Sequence, residues 1–332
     1  MARKSEDRKG SGRKGVAKPV AKGAAKSAPK APAPPPPPPK VKFRGKLLEQ
    51  EPLARYTTWR LGGPARYLIL PADTDDVVKA LEFAQERGLP WVVLGLGSNV
   101  LVKDGGFPGV VIRIGPPGKG LDRFEMKGST AIVGGGMPTP LLARRAADGG
   151  LTGVERFIGI PGTVGGGIYM NAGCHGAEFA EVVTEVTVMD AKGKVKQLSR
   201  KQISFKYRSS NIEGIVLEAK LGLGEESPAK LKELQAKLLR WRKAGTPFDQ
   251  PCCGSTFTNP GGAKTAGMLI EECGLKGFTI GGGQVSTMHA NYFINKGNAT
   301  AADMLKLIEH VRKTVAKKTG VELQLECKVI GV

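Results

Sequence analysis

The chain has 332 residues and is 40% hydrophobic, which is enough for two or three domains with an ordinary core. Its net charge of +20 is uneven, because residues 1–46 hold fourteen Lys or Arg and only two acids. The apolar runs are too short for a membrane span, and the N-terminus lacks the apolar core of a secretory signal. Five cysteines without a CxxC motif predict no zinc or other metal site and no disulfide framework, so we expect a cytoplasmic protein with reduced thiols.

Residues 1–40 form a low-complexity segment of Lys, Ala and Pro that includes an unbroken proline run, Pro34–Pro39. Such a composition buries too little apolar surface to offset its ordering entropy, so we predict a disordered basic tail. The simplest interpretation is a solvated tail, and the alternative is weak electrostatic binding to a polyanion. No aromatic residue precedes Phe43, so base stacking within the tail is not expected.

From about Val41 the hydrophobic pattern becomes that of an α/β chain. In chain order the pattern first predicts a strand at Ala65–Leu70, a helix at Asp73–Arg87, strands at Trp91–Leu94, Val100–Val102, Val110–Ile114 and Ala131–Val133, and a helix at Thr139–Asp148. Further on it predicts a hairpin of Thr184–Asp190 with Val195–Leu198, a strand at Ile215–Leu223, helices at Pro228–Lys243 and Lys264–Cys273, a strand at Tyr292–Asn295, a helix at Thr300–Lys318 and a final strand at Val321–Ile330. Thr300 with Asp303 gives the last helix a capping-box-like start.

Two glycine-rich loops are candidates for binding a phosphorylated ligand. The first, Gly95-Leu96-Gly97-Ser98-Asn99, joins two predicted strands, and its small residues would let backbone amides approach a pyrophosphate. It lacks the third glycine and the following helix of a dinucleotide fingerprint, so a plain tight turn remains an alternative. The second runs from Gly159 to Gly176, and its glycine density predicts backbone lying against a large ligand.

A third candidate segment is Gly254-Ser255-Thr256-Phe257-Thr258-Asn259-Pro260. A serine next to glycine presents its hydroxyl with little obstruction, and Asn259 adds an amide donor and acceptor. The same residue types also make ordinary turns, so the segment alone decides nothing.

These motifs occur in one order together with Thr58-Trp59-Arg60-Leu61-Gly62-Gly63, Tyr207-Arg208-Ser209-Ser210, Val285-Ser286-Thr287-Met288-His289-Ala290-Asn291-Tyr292 and Leu325-Glu326-Cys327-Lys328-Val329-Ile330. In that order they resemble the UDP-N-acetylenolpyruvoylglucosamine reductase family, from about Lys46 to the C-terminus. The Ser-x-x-His-Ala-Asn run resembles the shorter subclass, which lacks a loop with a substrate-binding tyrosine.

The resemblance implies an α+β fold, with a two-part FAD-binding unit of the vanillyl-alcohol-oxidase type and a smaller α/β substrate-binding domain. The implied boundaries are residues 1–40 for the tail, 41–110 and 111–245 for the two FAD-binding subdomains, and 246–320 for the substrate domain. Residues 321–332 would return to the second subdomain. We expect a monomer.

The resemblance also implies a reaction, in which NADPH reduces non-covalently bound FAD and a UDP-sugar enolpyruvyl ether then accepts the hydride. Arg208 matches the family's catalytic arginine, Ser255 its proton donor and Glu326 its acidic residue. The Glu326 carboxylate would repel an enolate unless it were protonated or bridged by Arg208 or water, and the sequence leaves these alternatives open.

The remaining site residues follow from the same resemblance. The expected FAD contacts are Thr58, Arg60, Gly62, Gly95, Gly97, Ser98, Asn99, Gly159, Pro161, Gly162, Thr163, Gly165, Gly166, Asn171 and Gly173. The expected substrate contacts are Asn259, His289 and Asn291. A hydrogen-bonded structural role is an equal alternative for His289.

Two other functions are alternatives to this interpretation. A related FAD-dependent oxidoreductase on the same scaffold would explain the glycine loops but not the combination of Arg208, Ser255 and Glu326. A nucleic-acid-binding protein would explain the basic tail, but residues after the tail carry no usual nucleic-acid-binding signature.

Overall fold

The computed structural model describes residues 41–116 and 121–332, and most of the described strands lie in three sheets. The Lys/Ala/Pro-rich tail lies outside the described residues, so its predicted disorder stays a prediction. The helices are Thr74–Glu86, Thr139–Asp148, Val164–Tyr169, Phe179–Val182, Pro228–Gly245, Ala266–Glu272 and Ala301–Thr319. Short 3-10 helices lie at Leu53–Tyr56, Glu155–Gly159 and Arg200–Gln202.

The first sheet has four strands in the order Lys46–Pro52, Pro64–Leu70, Phe107–Arg113, Trp91–Leu94. The first two strands are antiparallel, and the other pairs are parallel. Helix Thr74–Glu86 covers one face with Val77, Leu81 and Ala84, as its apolar spacing predicts. Asp73 caps this helix by accepting a hydrogen bond from the Asp76 amide.

The second sheet has five antiparallel strands in the order Val195–Ser199, Val183–Met189, Ile215–Gly222, Thr130–Gly134, Phe124–Lys127. The predicted hairpin is confirmed by the pairing of the first two strands. Its core includes Phe157 and Phe179, which lie in the segments beside the second glycine-rich loop.

The third sheet has the strand order Cys252–Ser255, Tyr292–Asn295, Gly283–Val285, Thr279–Ile280, and it packs against helices Ala266–Glu272 and Ala301–Thr319. The predicted capping box is present, since the Thr300 hydroxyl accepts from the Asp303 amide and the Asp303 carboxylate accepts from the Thr300 amide. The remaining strand pairs are short: Gly173–Cys174 with Ala177–Glu178, Phe205–Lys206 with Ser209–Ser210, Leu151–Thr152 with Gly224–Glu225, and Val100–Val102 with Lys328–Ile330.

The third sheet is fixed to the first part of the chain by direct hydrogen bonds. The fully buried Trp59 indole donates to the Phe293 carbonyl over 2.7 Å, and the Asn295 amide donates to the Trp59 carbonyl over 3.0 Å. The Asp104 carboxylate accepts from the first two amides of helix Ala301–Thr319, at 2.8 and 2.9 Å. A carboxylate at a helix N-terminus is favourable, so this contact holds the two regions together.

Three sequence expectations about the organisation are wrong in detail. The final strand spans Lys328–Ile330 instead of Val321–Ile330, and upstream of it Leu325 makes an isolated bridge with Phe257. This strand pairs in parallel with Val100–Val102, in the first predicted subdomain and not the second. Strand Phe107–Arg113 belongs to the first sheet and crosses the predicted boundary at 110/111. The other predicted boundaries stay predictions.

Candidate active site

A cavity of about 850 Å³ lies between the two glycine-rich loops and the third sheet. Arg208, Ser255 and Glu326 all line it, although they are far apart in the sequence. Ten of the expected FAD contacts line the same cavity: Gly95, Gly97, Ser98, Asn99, Pro161, Gly162, Thr163, Gly165, Gly166 and Gly173. The volume lies within the range of about 300–1,000 Å³ that is typical of cofactor and ligand sites.

The first glycine-rich loop offers unpaired backbone donors to this cavity. Across the described residues 41–116 and 121–332, the amides of residues 96–99 donate to no protein acceptor. Gly97 has a φ of 66°, and a Cβ there would stand 2.1 Å from the Tyr56 carbonyl oxygen, so a larger residue would displace the turn. A cluster of free amides suits a diphosphate, and the loop therefore fits the flavin nucleotide.

The second loop packs directly against the first. A Cβ on Gly95 would lie 2.6 Å from the Thr163 hydroxyl oxygen, and a Cβ on Gly162 would lie 2.8 Å from the Ser98 hydroxyl oxygen. Thr163 also accepts a hydrogen bond from the Gly166 amide and caps the short helix Val164–Tyr169. Glycine is therefore needed at these positions so that the two loops can meet beside the ligand.

Arg113 supports the first loop from behind, and the sequence analysis missed it. Its guanidinium donates to the Gly95 carbonyl over 2.9 Å and to the Tyr56 carbonyl over 3.3 Å, and lies 4.9 Å from the centre of the Tyr56 ring. Burial lowers the pKa of Arg113, with Tyr56 opposing that shift. The only sequence feature that could have indicated this role is the position of Arg113 at the end of an apolar strand.

Arg208 enters the cavity from the hairpin formed by Phe205–Lys206 and Ser209–Ser210. Its φ of 54° is left-handed, a conformation that costs a non-glycine residue about 1–3 kcal/mol and is concentrated at functional sites. The Nε atom lies 3.1 Å from Oε1 of Glu326, and Nη2 donates to the Gly173 carbonyl over 3.2 Å. The guanidinium is thus held between the second glycine-rich segment and the residues just before the final strand.

Glu326 is mostly buried beside Arg208, with 16% of its side chain exposed. Burial raises the pKa of the Glu326 carboxyl above its usual value, and the charge and hydrogen bond of Arg208 oppose that rise. Of the alternatives left open by the sequence, the structure shows the bridge to Arg208.

Ser255 lies at the end of strand Cys252–Ser255, opposite Tyr292 in the neighbouring strand. The left-handed Gly254, with a φ of 81°, precedes it at an irregularity in this pairing. The Glu326 amide donates to the Thr256 carbonyl over 2.9 Å, which places the Ser255 and Glu326 segments side by side. Asn99 adds a further link, because its side-chain amide donates to the Glu326 carbonyl over 3.3 Å.

Several expected contacts lie outside the large cavity. Thr58 and Arg60 line a smaller cavity beside it, and Gly62 packs against Val102. A Cβ on Gly159 would stand 2.6 Å from Cδ of Arg242, so this glycine makes room for an arginine side chain.

Two of the expected ligand contacts are buried asparagines whose side chains bind backbone groups of the protein. Asn171 is fully buried, accepts a hydrogen bond from the Ala180 amide and donates to the Lys206 carbonyl, next to the turn that carries Arg208. Asn291 exchanges hydrogen bonds with the backbone of Phe257 at 2.8 and 2.9 Å. Both side chains therefore position site segments from behind.

Asn259 and His289 are also turned to neighbouring protein groups. The Asn259 carbonyl oxygen accepts from the Ala266 amide, and the Asn259 amide donates to the Tyr207 hydroxyl at the long distance of 3.5 Å. His289 accepts from the Asn291 amide and packs against Tyr292, and burial lowers its pKa. The geometry favours the structural alternative for His289.

Comparisons with known proteins are consistent with this geometry. Residues 65–199 match a family model described as an FAD binding domain, and residues 246–330 match the C-terminal domain of UDP-N-acetylenolpyruvoylglucosamine reductase. The reductase of that name from Bacillus velezensis is 41% identical over 291 residues, which is 86% of this chain and 95% of the relative. The corresponding Bacillus subtilis protein is 40% identical over the same shares.

The chain belongs to the UDP-N-acetylenolpyruvoylglucosamine reductase family. The crystal structure of this reductase from Thermus caldophilus superposes with a TM-score of 0.75 and 35% identity, covering 87% of this chain and all of that one. The predicted family, the α+β class with its FAD-binding unit, the oxidoreductase class and the FAD cofactor are thereby confirmed. Among the described residues no helix has the length and apolar character to cross a membrane.

The raised pKa of the Glu326 carboxyl means that ionising this group costs folding stability. We expect Glu326→Gln to raise the thermal unfolding temperature of the holoprotein, by an amount that grows with pH. Below the ordinary glutamate pKa the carboxyl is protonated in both folded and unfolded chains. At higher pH the unfolded chain ionises first, so stability is lost as pH rises through the raised pKa of the folded state. Glutamine retains an acceptor for Arg208 without that charge.

The measurement is thermal unfolding with saturating FAD across the acidic and neutral range. Glu322→Gln, at an exposed position in the same segment, is the matched control. Its unfolding temperature should differ from that of wild type by an amount that does not change with pH. The prediction is contradicted if the difference in unfolding temperature between Glu326→Gln and wild type stays constant or narrows as pH rises.

Proposed function

We propose that this chain reduces the enolpyruvyl ether of UDP-N-acetylglucosamine to UDP-N-acetylmuramate in cell-wall precursor synthesis, with NADPH as reductant and non-covalent FAD as cofactor. The observation that carries the proposal is the convergence of Arg208, Ser255 and Glu326 on one cavity with both glycine-rich loops. The named activity of the Bacillus and Thermus relatives supports the same reaction. A cytoplasmic location is part of the proposal.

FAD, when bound, would supply the hydride chemistry that couples NADPH oxidation to reduction of the alkene carbon. The amides of residues 96–99 and the loop at residues 161–166 would hold its nucleotide part. The residues of the chain must then stabilise negative charge on the substrate carboxylate and deliver one proton to the adjacent carbon.

Arg208 provides the fixed cation for that charge. Its guanidinium is permanently protonated and is already oriented by Glu326 and the Gly173 carbonyl, so little reorganisation is needed as charge develops. Glu326 positions Arg208 and keeps the pair close to neutral before substrate arrives. Ser255 would donate the proton from the facing segment.

One assay tests the proposal directly. NADPH oxidation should accelerate strongly when UDP-N-acetylglucosamine enolpyruvate is added, and the product should be two hydrogens heavier than the substrate by mass spectrometry. A rate that is unchanged by this substrate and supported by oxygen alone would favour the related FAD-dependent oxidoreductase instead.

The flavin should leave the chain when the protein is denatured by acid. Cys253 is the only Cys among the described residues that line the large cavity, and none of those lining residues is a His. Burial raises the pKa of the Cys253 thiol well above its usual value, which disfavours the reactive thiolate. Flavin absorbance should therefore appear in the supernatant, and flavin remaining on the precipitated chain would contradict non-covalent binding.

Deleting residues 1–40 should leave turnover nearly unchanged and weaken retention on heparin. The deleted segment carries much of the positive charge, while the family-model matches begin at residue 65 and the described fold begins at residue 41. Release of counterions makes such polyanion binding fall steeply with salt. Turnover, FAD content and the salt needed for elution are compared for the two chains. A large loss of turnover at unchanged FAD content would place the tail at the active site.

A further inference from the structure

The second half of helix Pro228–Gly245 carries three exposed cations, Lys237, Arg240 and Lys243. Successive members are three residues apart, so they are neighbours on the helix surface. None of them lines the large cavity or the smaller one beside it. They form a continuous basic face to which the proposed function gives no role.

Within the part of the chain that the structure describes, no acid neutralises this face, because none of the three cations forms an ion pair. The first half of the helix is different. There Lys230 lies 3.3 Å from the Glu226 carboxylate, and Lys232 lies 2.8 Å from that of Asp148. The helix contains one acid, Glu233, which precedes the basic face. Positive charge is therefore concentrated toward the C-terminal end of the helix.

Trp241 lies next to these cations, and 69% of it is exposed, more than of any other large hydrophobic residue that the structure describes. The ring packs against His175, with centroids 5.2 Å apart, which fixes its orientation. One exposed apolar side chain needs no explanation. Phe248, however, is also 48% exposed, and its ring lies 5.5 Å from the guanidinium of Arg242, the residue after Trp241. Two exposed aromatic rings thus lie at the end of the helix that carries the cations.

Exposed cations beside exposed aromatic rings are typical of helices that lie on an anionic membrane surface. Lysine and arginine are attracted to the anionic headgroups. A tryptophan ring is favourable at headgroup level, because its apolar body and its polar N–H are both accommodated there. A merely solvated charged face, the ordinary interpretation of a basic helix, would not account for the exposed rings.

The sequence contains a second basic element, since residues 1–46 hold fourteen Lys or Arg and only two acids. A single weak anchor gives marginal and reversible membrane binding, and stable association takes two. The tail and the helix face both favour an anionic surface over a neutral one, so their contributions would add.

We propose that the face formed by Lys237, Arg240, Trp241 and Lys243 docks the protein on an anionic phospholipid bilayer. Trp241 lies at headgroup level in the docked state, and the three cations contact lipid phosphates. Docking is peripheral and weakens with salt, because exposed charges are screened. The proposal does not depend on the proposed function, since none of the four residues lines a cavity.

The test is flotation of the FAD-loaded full-length protein with two kinds of vesicle, phosphatidylcholine alone and phosphatidylcholine with phosphatidylglycerol in equal amounts. Wild type should bind only the anionic vesicles. The triple variant Lys237→Gln/Arg240→Gln/Lys243→Gln should bind them about 10- to 100-fold more weakly, at up to about fivefold for each cation. Trp241→Ala should weaken binding about tenfold, because less apolar area is buried, and Trp241→Phe should lose less.

The matched control is Lys306→Gln/Lys313→Gln/Lys317→Gln on helix Ala301–Thr319. It removes the same charge from exposed positions of a helix that has no exposed large hydrophobic residue among those described. It should weaken vesicle binding much less than the triple variant of the basic face. FAD content and turnover should be normal in all variants.

Tryptophan fluorescence provides a second measurement. Anionic vesicles should shift the emission of wild type to shorter wavelength, and the shift should be absent from Trp241→Phe, because Trp59 is fully buried and Trp91 partly buried. Bound wild type without such a shift would show that Trp241 does not enter the headgroup layer, contrary to the proposal.

Three other results would overturn the docking face. Wild type that does not float with anionic vesicles has no such surface. Equal losses in the triple variant and its control mean that only net charge matters, and wild-type binding by both the triple variant and Trp241→Ala assigns binding to the tail. Single-stranded RNA is titrated in parallel. Variants of the basic face that lose RNA binding but keep vesicle binding would assign this surface to nucleic acid instead.

Discussion

Replacing Ser255 by alanine should leave flavin reduction by NADPH intact and slow flavin reoxidation by the enolpyruvyl sugar by about 10²–10⁴-fold, the usual contribution of general acid catalysis. The serine would act only after the hydride has left the flavin, because its proton goes to the substrate. Ser255 lies on the third sheet and lines the same cavity as the glycine-rich loops.

Anaerobic stopped-flow absorbance separates the two half-reactions. Ser227→Ala, which removes an exposed hydroxyl from a residue that does not line the cavity, is the matched control and should change neither half-reaction. An equal slowing of both half-reactions in Ser255→Ala would show that the serine has a structural role or belongs to the nicotinamide site. Retention of FAD in the variant has to be verified by its absorbance spectrum.

The local elements of the fold were predictable because their signals are local. Helix Thr139–Asp148 has the predicted bounds, and the capping box at Thr300 begins the last long helix as expected. The error at Val321–Ile330 has a different origin. That segment is apolar enough for a strand, but only Lys328–Ile330 finds a continuous partner, and the partner lies more than 200 residues earlier. Composition carries no information about that pairing.

The site residues divide in a similar way. The resemblance identified Arg208, Ser255 and Glu326, and all three line the cavity. Asn171 and Asn291 have the same side-chain amide groups as asparagines that bind ligands. Only the fold shows that these groups form hydrogen bonds with the backbone of neighbouring segments. Sequence patterns specify which donors exist but not the direction in which a side chain points.

The two arginines that the sequence analysis missed show the opposite error. Arg242 follows an exposed tryptophan on a Lys/Arg-rich helix, and by composition it is indistinguishable from a solvated surface residue. Arg113 ends an apolar strand and could equally have pointed to solvent. Burial beside glycine-rich loops is what separates these cations from the many others in a chain of net charge +20.

Replacing Arg208 by glutamine should slow flavin reoxidation by substrate about 10²–10³-fold, which is typical for removing one preorganised group that stabilises transition-state charge. The reductive half-reaction with NADPH should change much less. The substitution also removes the cation that offsets the effect of burial on the Glu326 carboxyl, so the pKa of Glu326 should rise further. Consequently the residual activity should depend on pH differently from that of the wild type.

The design that isolates the role of the arginine uses three further variants. Arg208→Lys keeps a charge but loses the planar donors that contact both Glu326 and the Gly173 carbonyl, so it should recover only part of the rate. The double variant Arg208→Gln/Glu326→Gln removes both charges and should be more stable than Arg208→Gln alone. It should not recover flavin reoxidation, because the substrate carboxylate still lacks a cation. Lys201→Gln, at an exposed position beside the same hairpin, is the control for lost charge. Full recovery of reoxidation in the double variant would mean that Arg208 serves only to neutralise Glu326, and the proposed stabilisation of substrate charge would then be wrong.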